Sequence, residues 1–163
     1  MKKFLTFLLV LVLAMFSLSC RKGAEEAQPE KDQAVKAQPE RTEPERVRVQ
    51  HILISFQGSI PKPEVTRTQA EAEELARMLF DRAKKGEDFD ALVKEYSDDA
   101  YPGIYAMSNL DVTPDEAANE FPRAGMVKAF GDVSFSLNAG EIGMTEFDPV
   151  TSKYGWHIIK RLE

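Results

Sequence analysis

The sequence predicts an α+β domain built on a small antiparallel sheet. Three observations carry this: a β-rich alternating segment opens the foldable part of the chain, another closes it, and amphipathic helical stretches lie between them. The opening segment, Val47 to Phe56, is rich in β-branched residues and alternates so that Val47, Val49, His51 and Leu53 share a face. After a loop containing Gly58, Pro61 and Pro63, Thr68-Gln-Ala-Glu71 reads as a capping box, in which the Thr and Glu side chains satisfy each other's free backbone donors at a helix start. Ala72, Leu75, Ala76, Leu79, Phe80 and Ala83 then recur at helical spacing, and the stripe stops before Gly86. A second, shorter helix has Asp88 as its cap and Phe89, Leu92, Val93 and Tyr96 as its apolar face. Gly103 to Met107 suits a short strand, and Asn109 to Glu120 is a polar, helix-capable insertion. Pro122 is placed to open a short helix carrying Met126, Val127, Ala129, Phe130 and Val133, because a helix's first residue needs no N–H partner. Asn138-Ala-Gly140 makes a turn. The closing segment, Gly155 to Leu162, alternates so that His157, Ile159 and Arg161 share a face.

Ahead of this domain lie two segments of different character. Residues 1–19 read as a signal peptide: Lys2 and Lys3 precede an apolar run from Phe4 to Leu18 that is short for a membrane span. Ser17-Leu-Ser-Cys20 resembles a bacterial lipobox and predicts lipid attachment at Cys20, although Ser17 and Ser19 also suit ordinary secretory cleavage. Residues 20–46 hold that cysteine and a tether dominated by Glu, Gln, Lys, Ala and Pro, with Ala27-Gln-Pro-Glu30 repeated as Ala37-Gln-Pro-Glu40. Val35 is the tether's one large aliphatic residue, so no core can form there. This leaves residues 47–163 as the folded domain.

Composition removes whole classes of function. The chain has 21 Lys and Arg against 27 Asp and Glu, a net charge of −6, and loss of Lys2 and Lys3 with the leader leaves 19 against 27. No basic surplus exists to displace counterions from a phosphate backbone, so nucleic acid is not an expected partner. The one cysteine excludes an intramolecular disulfide and thiolate metal sites, and two histidines with one plausible carboxylate leave few options for a metal centre, a carrier using His51 and His157 being the least favoured reading. No metal and no cofactor are expected.

Four blocks carry a specific resemblance: His51-Ile-Leu-Ile; Phe89-x-x-Leu-Val-x-x-Tyr-Ser97-Asp98; Met126-x-x-x-Phe130 continuing through Phe135, Leu137, Gly140, Glu141 and Ile142; and Gly155-Trp-His157-Ile-Ile-Lys160. Together, in this order, they resemble parvulin-type peptidyl-prolyl isomerases over essentially all of 47–163. The resemblance implies a four-stranded antiparallel sheet wrapped by about four helices, with the active site on the concave face of the sheet. It also implies assistance to the folding of exported envelope proteins, with unfolded or extended proline-containing polypeptides as partners. The leader and the lipobox-like motif predict a domain in the bacterial envelope that faces the periplasm on a lipid anchor, or one that is soluble in the periplasm or secreted.

The resemblance assigns residues. His51 and His157, the only histidines, fall on neighbouring strands and on the catalytic face; the residues alone equally allow a pair that satisfies itself in the core. Asp99 would polarise the histidines, or be an ordinary turn aspartate. Ser152 falls where the family carries a hydroxyl beside them. Met126 and Phe130, with Tyr105 or Met107, would seat the proline ring, although a Met/Phe pair at this spacing is also common in cores. Pro102-Gly-Ile-Tyr-Ala106 departs from the family's Gly-Gly-Asp-Leu-Gly, and the stretches 109–120 and 144–148 are insertions. Phosphate-directed members cluster basic residues after the first strand; here only Lys62 and Arg67 are present, apart, so no strong phospho-specificity is expected. A chaperone that binds through the same groove without catalysis is the alternative.

Overall fold

Residues 43–163 are described by the computed structural model; the segment read as a leader, Cys20 and most of the segment read as a tether lie outside them. Strand β1 (Arg46–Ile54) is the middle of a five-stranded sheet and is bonded on either side by β2 (Ile104–Ser108) and β5 (Trp156–Arg161), both antiparallel. Strand β4 (Ile142–Met144) lies beyond β5, and β3 (Phe121–Pro122) lies beyond β2, giving the order β3-β2-β1-β5-β4. The fold class is therefore α+β as expected, but the expected four-stranded antiparallel sheet gains a fifth strand, and β3 runs parallel to β2. Among the described residues, three α-helices rather than four accompany it: α1 (Gln69–Lys84), α2 (Phe89–Tyr96) and α3 (Lys128–Ser136).

Helices α1 and α2 start where their caps predict. The Glu71 N–H donates to Thr68 Oγ1 (3.3 Å) while the Thr68 N–H donates to Glu71 Oε2 (2.7 Å), and Asp88 Oδ1 accepts from Asp90 and Ala91. Their buried faces, Ala72, Ala76, Leu79 and Ala83 with Phe89, Leu92 and Val93, pack on Ile52, Ile54, Trp156 and Ile158 of the sheet. The other face of the sheet presents Val47, Val49, Met107 and Ile159 to Phe130 and Phe135 of α3. The central strands are thus covered on both faces.

The difference from the expected helices lies in residues 109–136. Residues 109–120 hold only a 3₁₀ turn, Glu116–Ala118, capped by Asp115 and ended by Asn119 in the left-handed region (φ 53°). Pro122 opens no α-helix; it is extended (ψ 133°) and paired with Ser108, and α3 begins six residues later. Arg123 accounts for the displacement. Its guanidinium lies 4.8 Å from the Phe135 ring, donates to Asp132 (2.9 Å) and Glu43 (2.5 Å), and so folds the 123–126 segment back along α3. The same pairing, with Asn109 Nδ2 donating to the Pro44 carbonyl (2.8 Å), fastens residues 43–45 to the domain ahead of β1.

Candidate active site

The register of β1 on β5 sets Leu53 opposite His157 and His51 opposite Ile159, so the two histidines are diagonal neighbours on the α3 side of the sheet. Their rings lie nearly parallel (13°) with centroids 5.4 Å apart, and the two Nδ1 atoms are separated by 3.3 Å. On its far side, His51 Nε2 meets Asp99 Oδ2 at 2.9 Å, and the Tyr105 hydroxyl donates to that same oxygen at 2.8 Å. Four polar side chains from β1, β2, β5 and the turn after α2 therefore form one chain, Tyr105–Asp99–His51–His157. Gly103 permits this approach. Its carbonyl accepts the His51 N–H (2.9 Å), and at φ 63° an added Cβ would sit 2.7 Å from the His51 carbonyl oxygen, so no other residue fits there without moving β1 or the turn.

The electrostatics follow from this chain. The hydrogen bond from His51 holds the Asp99 carboxyl far below the usual carboxylate range, with Tyr105 adding to it, against the opposing pull of burial. Tyr105 is pushed up to about 12 by burial first and by Asp99 second. Burial drives His157 down to about 3, the neighbouring His51 reinforcing this. His157 is thus a neutral imidazole. Because ionised Asp99 only accepts, the hydrogen between them is carried on His51 Nε2, and the two facing Nδ1 atoms share a single hydrogen. His157 Nε2 is buried without a hydrogen-bond partner.

Beside this chain opens a cavity of about 290 Å³ lined by His51, Leu53, Asp99, Tyr105, Gly125, Met126, Val127, Phe130, Tyr154 and His157. Its size is at the lower end of small-ligand pockets and suits one or two residues of a polypeptide. Phe130 is the hinge between cavity and core: it is 2% exposed, and its ring meets those of His51 (5.1 Å), Tyr105 (5.8 Å) and His157 (5.4 Å).

Of the sequence-predicted residues, His51, Asp99, His157, Met126, Phe130 and Tyr105 therefore converge. Met107 and Ser152 do not. Met107 is fully buried, pairs with Val47 rather than with the histidine end of β1, and sits in the core beneath α3. Ser152 donates to the Gly155 carbonyl (2.8 Å) and meets Thr145 Oγ1 (3.2 Å). It reaches His157 only through Thr145, whose hydroxyl accepts the His157 N–H (3.0 Å) and whose own N–H donates back to the His157 carbonyl (2.9 Å). Thr145, Leu53, Val127 and Tyr154 escape sequence reasoning. Leu53 alone had a signal, sharing the His51 face of β1. Among the described residues no three His, Cys, Asp or Glu side chains converge as a metal site.

Comparison with known proteins identifies the family to which this fold belongs. Residues 33–163 match the PPIC-type PPIASE domain, and the chain belongs to that family of peptidyl-prolyl isomerases. It is 41% identical over 90 residues to a foldase protein PrsA of Caldanaerobacter subterraneus, a match covering 54% of this chain and 24% of that one. It is 34% identical over 116 residues to a chaperone SurA of Pseudomonas aeruginosa, covering 71% and 23%. The chain thus spans about a quarter of the length of these relatives. Among solved structures, the peptidyl-prolyl isomerase ESS1 of Candida albicans superposes with a TM-score of 0.52 at 22% identity, covering 73% of this chain and 63% of that one, a likeness of fold. TbPIN1 gives 0.51 at 25% identity, with 73% and 98% covered.

Proposed function

We propose that the cavity is a peptidyl-prolyl cis-trans isomerase site acting on unfolded or extended proline-containing polypeptides. The observation that carries this reading is the juxtaposition of an apolar seat, formed by Leu53, Met126 and Phe130, with the Tyr105–Asp99–His51–His157 chain in one small cavity. Rotation about an X-Pro bond faces a barrier of roughly 18 to 20 kcal/mol because the planar amide is resonance-stabilised, and that resonance separates charge. The twisted amide is less polar. An apolar seat that strips water from the planar form and holds the ring in place therefore favours the transition state, and lowering the barrier by about 4 kcal/mol speeds rotation roughly 10³-fold. No nucleophile is needed. Met126 and Phe130 hold the ring, while Asp99, His51 and His157 present a fixed polar floor whose dipoles are oriented before the substrate arrives. Ser152 acts at one remove, holding the β4–β5 end of the site through Thr145.

The N-terminal sequence supports export with lipid attachment at Cys20, so the domain works in the bacterial envelope, facing the periplasm, on chains that arrive extended. Two-dimensional exchange NMR on a short X-Pro peptide with the purified chain tests the activity. Exchange that accelerates with the wild type and drops in His51→Ala and Met126→Ala supports it. A folded protein that shifts the peptide resonances without accelerating exchange sinks it, in favour of the second reading, a binding module without catalysis. That second reading is motivated by the printed name of the SurA relatives, chaperone, and predicts binding that survives His51→Ala.

A further inference from the structure

The Asp99 carboxylate sits on His51, yet Asp99 belongs to no helix or strand: it lies in the turn between α2 and β2. Its position must be set by something else, and the structure shows a latch one residue earlier. The Asp98 N–H donates to the Leu53 carbonyl (2.8 Å), and the Leu53 N–H donates to Ser97 Oγ (3.1 Å), so the turn is laid alongside β1 two residues beyond His51. Two residues further on, Asp98 Oδ2 accepts the Ser55 N–H (2.7 Å) and Arg67 Nη1–H (2.5 Å), while the same Arg67 nitrogen donates to the Ser55 carbonyl (3.0 Å). Lys62 Nζ donates to the Asp98 carbonyl (2.5 Å). Along β1 and the residue just past its end, His51, Leu53 and Ser55 thus each hold one rung of the 97–99 turn. The Asp98 side chain is only 11% exposed and touches no residue lining the cavity through its carboxylate, so substrate binding does not account for it.

We propose that Asp98, clamped by Arg67 and the Ser55 N–H, is a positioning residue that holds the Asp99 carboxylate on His51 Nε2 and through it fixes the orientation of the histidine pair. The inference rests on the isomerase reading of the cavity for its kinetic consequence, but not for its structural one. Loss of the latch frees the turn to shift. A displacement of the order of 1 Å in a preorganised group costs up to about a hundredfold in rate with little effect on a seat it does not touch.

The test uses the full chain with Asp98→Ala, Asp98→Asn and Arg67→Met, and two readouts. The first is the kcat and KM for an X-Pro peptide by exchange NMR. The second is the ring Nε2–H of His51 in ¹⁵N spectra, observable while Asp99 shields it from solvent exchange. We expect Asp98→Ala to lower kcat at least about tenfold with KM within about twofold, and to lose the His51 ring proton. Asp98→Asn, which keeps an acceptor for the Ser55 N–H, recovers most of both. A folded Asp98→Ala that keeps the ring proton and a kcat within about twofold of wild type overturns the proposal. Should Asp98→Ala not fold, Arg67→Met decides by the same criteria. If the wild type itself fails to accelerate exchange, the isomerase reading falls, and the ring proton in the variants still decides whether Asp98 positions Asp99.

Discussion

His157 offers the sharpest physical prediction, because it is a buried base whose protonation the fold opposes. Its value is driven from the ordinary 6.5 down to about 3. Between those two values the unfolded chain binds a proton that the native state refuses, so native stability falls as pH drops through that window. The full effect is at most about 5 kcal/mol at about 1.36 kcal/mol per unit, and between about pH 7.5 and pH 5 it amounts to about 2 kcal/mol. That upper window isolates the histidine. Asp99, whose carboxyl is held below its usual range, contributes stability that is present above its unfolded value and is lost only as pH falls through the lower native one, so it is silent there. Urea denaturation of wild type and His157→Phe at a series of pH values reads the difference. The replacement displaces the whole curve, but only the slope against pH enters the comparison. Wild type should lose about 2 kcal/mol more than the variant over this interval. Two curves that fall in parallel would refute the argument that His157 is held neutral by burial.

Three further outcomes follow from the same geometry. Asp99→Asn removes the ionised acceptor shared by His51 and Tyr105, and should lower kcat by about one to two orders of magnitude in peptide exchange while leaving the proline seat, and hence KM, nearly unchanged. Phe130→Ala should cost about 3 to 5 kcal/mol in urea denaturation because the ring is buried against both histidines, whereas Met126→Ala, half-buried at the rim, should raise KM at little cost in stability. A phosphoserine before the proline should not raise turnover, since Lys62 and Arg67 are engaged by Asp98, and Arg123 by Glu43 and Asp132; a tenfold or greater gain in exchange rate over the unphosphorylated peptide would contradict this.

The parts of the fold legible in the sequence are those whose signal is periodic. α1 and α2 each bury one face, so helical spacing marks them; β1 and β5 send side chains alternately to two covered faces and are marked by β-rich runs, and the caps at Thr68 and Asp88 mark two starts. β3 could not be read this way: two residues have no period, and Phe121–Pro122 becomes a strand only because the 109–120 segment returns beside β2. The start of α3 was misplaced because Pro122 is compatible with a helix locally, while Arg123 is committed to Phe135, Asp132 and Glu43, partners remote from any local rule. Within the site, Tyr105 and Met107 are alternative sequence candidates for the proline seat; they share a face of β2, but face is not position. The antiparallel register carries Met107 toward Val47 and away from His51, so it packs in the core instead of lining the cavity. Thr145 had no sequence signal at all, being a lone hydroxyl in a connection, and the hydroxyl credited to Ser152 reaches His157 through it.

The two faces of the sheet divide the work in a way that explains where the rules of stable packing are broken. The α1–α2 face is almost wholly apolar, from Ile52 and Ile54 to Trp156 and Ile158, and supplies cohesion without polar cost. The α3 face carries an ionised carboxylate against a histidine pair, one member of which is too buried to take a proton and keeps an unpartnered Nε2. Such an arrangement is expensive for a fold to hold, and a hydrophobic replacement would be cheaper if packing were its only purpose. It stays ordered because three independent pieces of backbone, β1, β5 and the latched 97–99 turn, each fix one member of the polar chain. A site whose dipoles are immobilised in this way has no reorganisation left to undergo when an amide begins to twist, which is the property that isomerisation without a nucleophile requires.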